Sequence, residues 1–273
     1  MVFVMADLWR YTASAGLLLL ATLVPSSVLA GKIAIIIDDI GYNLSEGKAA
    51  VQLAPEIAVS LLPAAPFALR LADLAIEHGN EIMLHLPMQA MTRRKPAEPH
   101  QLTLNMTEQE FKQRVRLDLD TFPLATGVNN HMGSLLTQHP GHMAWLMEVL
   151  EEHPGMFFID SRTYYKTVAA KTAAEYAIPH SSRDVFLDPG SGGIRVVREQ
   201  LKTLLKTATE KGFALAIGHP HPATIKALKA FIARLPASGH ELVPVSQFVQ
   251  QQESPPCPEC SSPLLRVVKN SKP

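Results

Sequence analysis

The stretch Ile33–Asp39 reads IAIIIDD, and IGYN follows at once. Five apolar residues run straight into two adjacent carboxylates. The run predicts a buried strand, and burying an unpaired carboxylate is costly. Asp38 and Asp39 therefore either sit at an exposed strand end or meet something positive.

Outward from this stretch, short apolar runs alternate with amphipathic ones. Strands are predicted at Lys32–Ile37, Ile57–Leu61, Glu81–His85, Gly127–Asn129, Met156–Ile159, Ala177–His180, Phe213–Ile217 and Glu241–Val245. Helices are predicted at Ser45–Leu53, Pro66–His78, Thr107–Phe122, Pro140–His153, Ala169–Tyr176, Ile194–Lys211, Pro222–Leu235 and Ser246–Gln251. Thr107 and Glu110 fit a capping box, and Pro222 suits a first helical turn. Such alternation implies a mostly parallel sheet covered by helices. About seven or eight units close naturally into a deformed (β/α)-barrel, complete or incomplete, with an open doubly wound sheet as the alternative. One domain is expected over residues 31–251, with a polar surface loop, MTRRKPAEPHQLTLN, after the third strand.

The chain has 273 residues, 47% of them hydrophobic, and a formal net charge of zero. Bulk electrostatics and scarce aromatics give no support to nucleic-acid binding. Residues 1–30 carry Arg10, an apolar run and a small-residue ending, Val28 to Ala30. That is the layout of a secretory signal peptide cleaved after Ala30, with an uncleaved anchor as the alternative. The remainder is expected to be exported to the periplasm, with no second membrane segment. Cys257 and Cys260 form a lone C-x-x-C in a Pro/Ser-rich tail over residues 252–273, expected to be disordered. Without a second pair they do not read as a zinc ribbon.

In parallel α/β folds, sites form at the carboxyl ends of strands. The first strand ends in Asp38 and Asp39, the third in His85, and the fourth in Asn129, Asn130 and His131. The fifth ends in Asp160, Ser161 and Arg162. The sixth leads into His180, Arg183, Asp184 and Asp188, and the seventh ends in His219 and His221. Singly, each has a structural reading: Asp38 or Asp39 as cap of the helix near Ser45, His85 as a core histidine, His219 in a turn. Jointly at one rim, they point to a divalent cation held by carboxylate and imidazole. Zinc suits that donor set first, with iron, cobalt or nickel as substitutes.

The ordered blocks IAIIIDDIGYN, IMLHLPMQ, GVNNHMGSLLT, FFIDSRT, RDVFLD and AIGHPHPATI resemble the divergent polysaccharide deacetylase family, a branch of the NodB-like carbohydrate esterase superfamily. The resemblance implies a metal-dependent hydrolase that releases acetate from N-acetylated sugars of an exported or cell-wall polysaccharide. It implies Asp38 as general base, Asp39 and His85 as metal ligands, and His219 as general acid. The superfamily places a second histidine four residues after the first, but Gln89 stands there, and His131 is the candidate replacement. Its Arg–Pro–Tyr signature has no clear counterpart, and Asp160 or Arg183 is expected to share that orienting role. The alternatives are a weak or inactive glycan- or protein-binding barrel and a metal-dependent amidase.

Overall fold

In the computed structural model, which describes residues 31–92 and 98–253, the apolar run of the opening stretch forms β1, Lys32–Ile40. Repeated strand–helix units follow: α1 Leu44–Val51, β2 Ala58–Leu61, α2 Ala68–His78, β3 Ile82–Met88, α3 Glu108–Thr121 and β4 Gly127–Met132. Next come α4 Pro140–Glu151, β5 Phe157–Asp160, α5 Ala169–Glu175, β6 His180–Ser182, β7 Val185–Phe186 and α6 Gly193–Lys211. The chain continues through β8 Phe213–Gly218, α7 Pro222–Ile232, β9 Glu241–Leu242 and α8 Val245–Glu253. The N-terminal segment and both cysteines lie outside the described residues. Among the described residues, no helix is long and apolar enough to cross a membrane.

All ladders are parallel, in the order β6-β5-β4-β3-β2-β1-β8-β7, with β9 also paired to β1. The sheet curls until its two edges nearly meet. Arg183 N donates to Asp160 O of β5 at 3.0 Å, and the next residue, Asp184, donates from N to Leu215 O of β8 at 2.9 Å. Two consecutive residues thus stitch together opposite edges of a deformed (β/α)-barrel. No ladder joins β6 to β7.

Side chains alternate between the two faces of this sheet. Ile33, Ile35 and Ile37 join the large apolar layer beneath the helices. Ala34 and Ile36 face inward, in a smaller cluster with Met83, Phe157, Ile159, Leu215 and Ile217. Phe248 and Val249 of α8 belong to the same inner cluster. Because β9 pairs with the amino end of β1, at Lys32 and Ile33, α8 seals that end of the barrel. The carboxyl ends of the strands stay open.

Two sequence expectations shift. The sixth strand starts at His180 instead of Ala177, because Ala177 (φ 54°) closes α5 in a left-handed turn. Ile178 N donates to Ala173 O and Ala177 N to Ala174 O, the Schellman pattern usually signalled by glycine. The two-residue β7 was not expected at all; it is too short to show a period. The capping box at Thr107 forms as expected, with Thr107 N donating to Glu110 Oε2 at 2.8 Å.

Candidate active site

Adjacent residues of a regular strand face opposite sides, so Asp38 and Asp39 should not both reach the lumen. The structure resolves this with a bulge. Opposite β2, Ile37 pairs with Val59 but Ile40 pairs with Leu61, so three steps on β1 match two on β2. Asp39 takes the extra place with φ 58°, a conformation that L residues rarely adopt. After the bulge, Ile40 falls back into the helix-facing layer. The alternative role, capping α1, belongs to Asn43, whose Oδ1 accepts from Ser45 N at 3.0 Å and Glu46 N at 3.2 Å.

Asp39, His85 and His131 converge. Asp39 Oδ1 lies 2.9 Å from His131 Nδ1 and 3.1 Å from His85 Nε2, and the two ring nitrogens are 3.2 Å apart. His131 arrives from β4, whose Asn129 stands opposite His85 and whose His131 is two residues further along the same inner face. Gln89, where the superfamily has its second histidine, instead holds the loop after β3, accepting from Leu104 N at 2.9 Å.

Asn129 sets the ring state of His85. Its Oδ1 lies 2.7 Å from His85 Nδ1 and accepts from Ser60 Oγ at 2.6 Å, while its Nδ2 donates to Asp38 Oδ1 at 2.8 Å. An amide oxygen only accepts, so His85 Nδ1 carries the hydrogen and Nε2 turns toward Asp39. Burial works against a charged His85, but Asp38 and Asp39 outweigh it and lift its pKa, so the site favours a positive charge at Nε2. Burial also works to raise Asp39, yet His131 and His85 hold its carboxyl far below the usual range.

The three side chains fit a divalent cation on one direct observation. Asp39 Oδ1 is buried and has no hydrogen aimed at it, although two ring nitrogens lie within 3.1 Å. Carboxylate and two imidazoles, all within 4.8 Å of one another, are a donor set suited to zinc.

His219 is held differently. Its Nδ1 lies 2.9 Å from Asp188 Oδ1, its backbone N donates to Asp188 Oδ2 at 2.7 Å, and Thr224 Oγ1 donates to the same oxygen at 2.8 Å. This leaves Nε2 facing the site, 3.6 Å from Asp39 Oδ2. Burial opposes charging this ring, but Asp188, Asp39 and Asp38 raise its pKa from 6.5 to about 9. Asp38 is almost fully buried, and burial pushes its carboxyl up against the pull of His85 and His219.

Asp160 does not orient a histidine or an arginine side chain. Phe157 and Ile159 face the lumen, so period two turns Asp160 away, onto the face of Phe158. Its Oδ1 accepts from Arg162 N and its Oδ2 from Thr167 Oγ1, both at 2.8 Å, so it braces the loop after β5. Arg183 does reach the site wall, but its guanidinium is engaged with backbone: Nε donates to Ser161 O at 2.7 Å and Nη2 to Arg162 O at 2.9 Å. The carboxylate that orients a histidine is Asp188. Asp184 serves structure, accepting from Lys211 Nζ at 2.8 Å and Leu215 N at 2.9 Å. His180 turns its Nδ1 to Ile178 O, 2.9 Å away. Asn129 stands at a predicted strand end and Asp188 in the segment that follows the sixth, but nothing in the sequence says what they touch.

These groups floor and wall a cavity of about 390 Å³, lined by Asp38, Asp39, His85, His131 and His219, with Arg162, Arg183 and Phe186 among its other walls.

The comparisons agree with this architecture. A protein of Haemophilus influenzae is 36% identical over 247 residues, covering 86% of this chain and 87% of the relative. The protein YibQ of Escherichia coli is 34% identical over 255 residues, covering 91% of this chain and 79% of the relative. The solved structure of ATU2773 from Agrobacterium tumefaciens shares the fold with a TM-score of 0.76 at 20% identity, covering 80% of this chain and 89% of that one. The family model described as divergent polysaccharide deacetylase matches residues 35–249, from the middle of β1 into α8. With its bulged aspartate pair, its strand-end histidines and a match across nearly all of the barrel, this chain belongs to the divergent polysaccharide deacetylase family.

Proposed function

We propose that this chain is a metal-dependent deacetylase that hydrolyses the acetamido group of N-acetylated sugars in an exported or cell-wall polysaccharide. The observation that carries the reading is the convergence of Asp39, His85 and His131 on one point, with Asp38 and the Asp188-held His219 beside it. Amide hydrolysis needs a base for the attacking water and an acid for the departing nitrogen. The site offers one of each.

A divalent cation, with zinc the best match to the donors, would be held by Asp39, His85 and His131 and when bound supplies Lewis-acid polarisation of the acetamide carbonyl. Asp38 takes the proton of the attacking water. Its burial raises its proton affinity toward that task, and the Asn129 amide fixes its orientation. His219 gives a proton from Nε2 to the leaving nitrogen, because an unprotonated amide nitrogen is a poor leaving group. Asp188 is a positioning residue: it keeps the His219 ring turned to the cavity and favours its charged form. The export expected from residues 1–30 would bring the enzyme to the periplasm, facing such glycans.

The test is acetate release from chitooligosaccharides and peptidoglycan fragments, comparing wild type with Asp38→Asn. Release by wild type and its collapse in the variant are expected. Equal, near-zero release from both would favour a binding protein, and a new amino-acid terminus in place of acetate would favour an amidase.

A further inference from the structure

The cavity wall carries two arginines that the reaction above does not use. Arg162 and Arg183 both line it, and among the described residues neither guanidinium has a carboxylate within salt-bridge distance. Their placement is enforced. Arg162 has φ 46° at the end of β5, and Asp160 pins its backbone N at 2.8 Å. Arg183 is half-buried, bonded to two carbonyls of the same loop and stacked on the Phe186 ring 4.8 Å from its centroid. Two guanidinium-bearing residues thus line one cavity with no salt-bridged carboxylate among the described residues. A planar donor fork is suited to a carboxylate or phosphate.

The aspartates on the floor lie beyond salt-bridge distance of both guanidiniums, although the charge of Asp38 acts on Arg183 from further away. Asp38 accepts from the neutral amide of Asn129, and Asp39 faces His85 and His131.

We infer that Arg162 and Arg183 form an anion subsite, so that the substrate is an N-acetylated sugar bearing a carboxylate or phosphate near its acetamido group. This rests on the metal-centre reading of the floor and narrows the substrate from acetylated glycans in general to anionic ones. Asp160 braces the backbone of the loop that carries Arg162.

The test is calorimetric binding to the zinc-loaded full chain carrying Asp38→Asn, so that turnover does not interfere. The probes are N-acetylglucosamine, neutral; N-acetylmuramic acid, a carboxylate; and N-acetylglucosamine 6-phosphate. At least one anionic probe is expected to bind about tenfold or more tighter than the neutral one, a typical size for a charged hydrogen-bonded contact. Which anion binds tighter names the group. In Arg162→Gln, an exposed position, that ratio is expected to fall toward one. Equal or tighter binding of the neutral sugar, or an unchanged ratio in Arg162→Gln, overturns the inference. Acetate release by wild type from the same sugars separates the two readings. Anion preference without acetate release removes the deacetylase and leaves the subsite; release without preference does the reverse.

Discussion

Two clusters in this protein contain the same side chains, one aspartate and two histidines, with ligand atoms within 4.8 Å: Asp39, His85 and His131, and Asp188, His219 and His221. They differ in how the carboxylate is satisfied. Asp39 Oδ1 is buried without a hydrogen, while both oxygens of Asp188 accept hydrogen bonds, from the His219 ring, the His219 backbone and Thr224. In the first cluster His85 is anchored through Nδ1 and turns its other nitrogen inward; in the second the exposed His221 has no such anchor among the described residues. The lesson is that composition and proximity do not make a metal site. A carboxylate with nothing left to accept holds a proton donor in place, and one with an empty buried lone pair is set for a cation.

The sharpest way to break this contrast is to remove a ligand from each cluster. His85→Ala or His131→Ala is expected to cut zinc affinity by about a hundredfold or more, with the fold largely kept, whereas His221→Ala keeps the zinc content of wild type; elemental analysis of the purified protein measures both. Zinc lost from His221→Ala would make the second cluster a metal site. Next in size is Asp38→Asn, expected to lower the rate of acetate release by roughly 10²–10⁴-fold while zinc stays bound, as for a general base.

Asp188→Asn probes the second cluster as a proton device and is expected to cost about a hundredfold in rate at unchanged zinc content. It also has a pH signature in chelator-treated protein. His219 is raised from 6.5 to about 9, so its charged form adds stability that is complete below pH 6.5 and lost as pH climbs through about 9. The melting temperature of wild type should fall across that window, and that of Asp188→Asn should fall less; parallel curves would deny Asp188 this role. The smallest effect is expected from Asn129→Ala, about tenfold in zinc affinity, because His85 loses the acceptor at Nδ1 but keeps its place on β3.

Much of this arrangement is legible in the chain. Apolar runs ending in Asp or His mark β1, β3, β4 and β8, and parallel topology puts those ends on one rim whatever the packing details. The failures have separate causes. β5 is buried on both faces, so its residues Phe157 to Asp160 show no polar side from which to read a phase. Asp160 could therefore be placed at the rim but not assigned to a face. The turn at Ala177 escaped because alanine takes a left-handed place where glycine is the usual signal.

By itself the sequence determined the strand–helix alternation, the parallel barrel and the set of polar residues at its mouth, because these depend on local periodicity and chain direction. Only tertiary structure decided which of those residues work together. The bulge that turns Asp39 inward, the Asn129 amide between Asp38 and His85, and the grip of Asp188 on His219 each depend on segments far apart in the chain. Hydrogen-bond partners are chosen by register and burial across the sheet, and neither is written in any one strand.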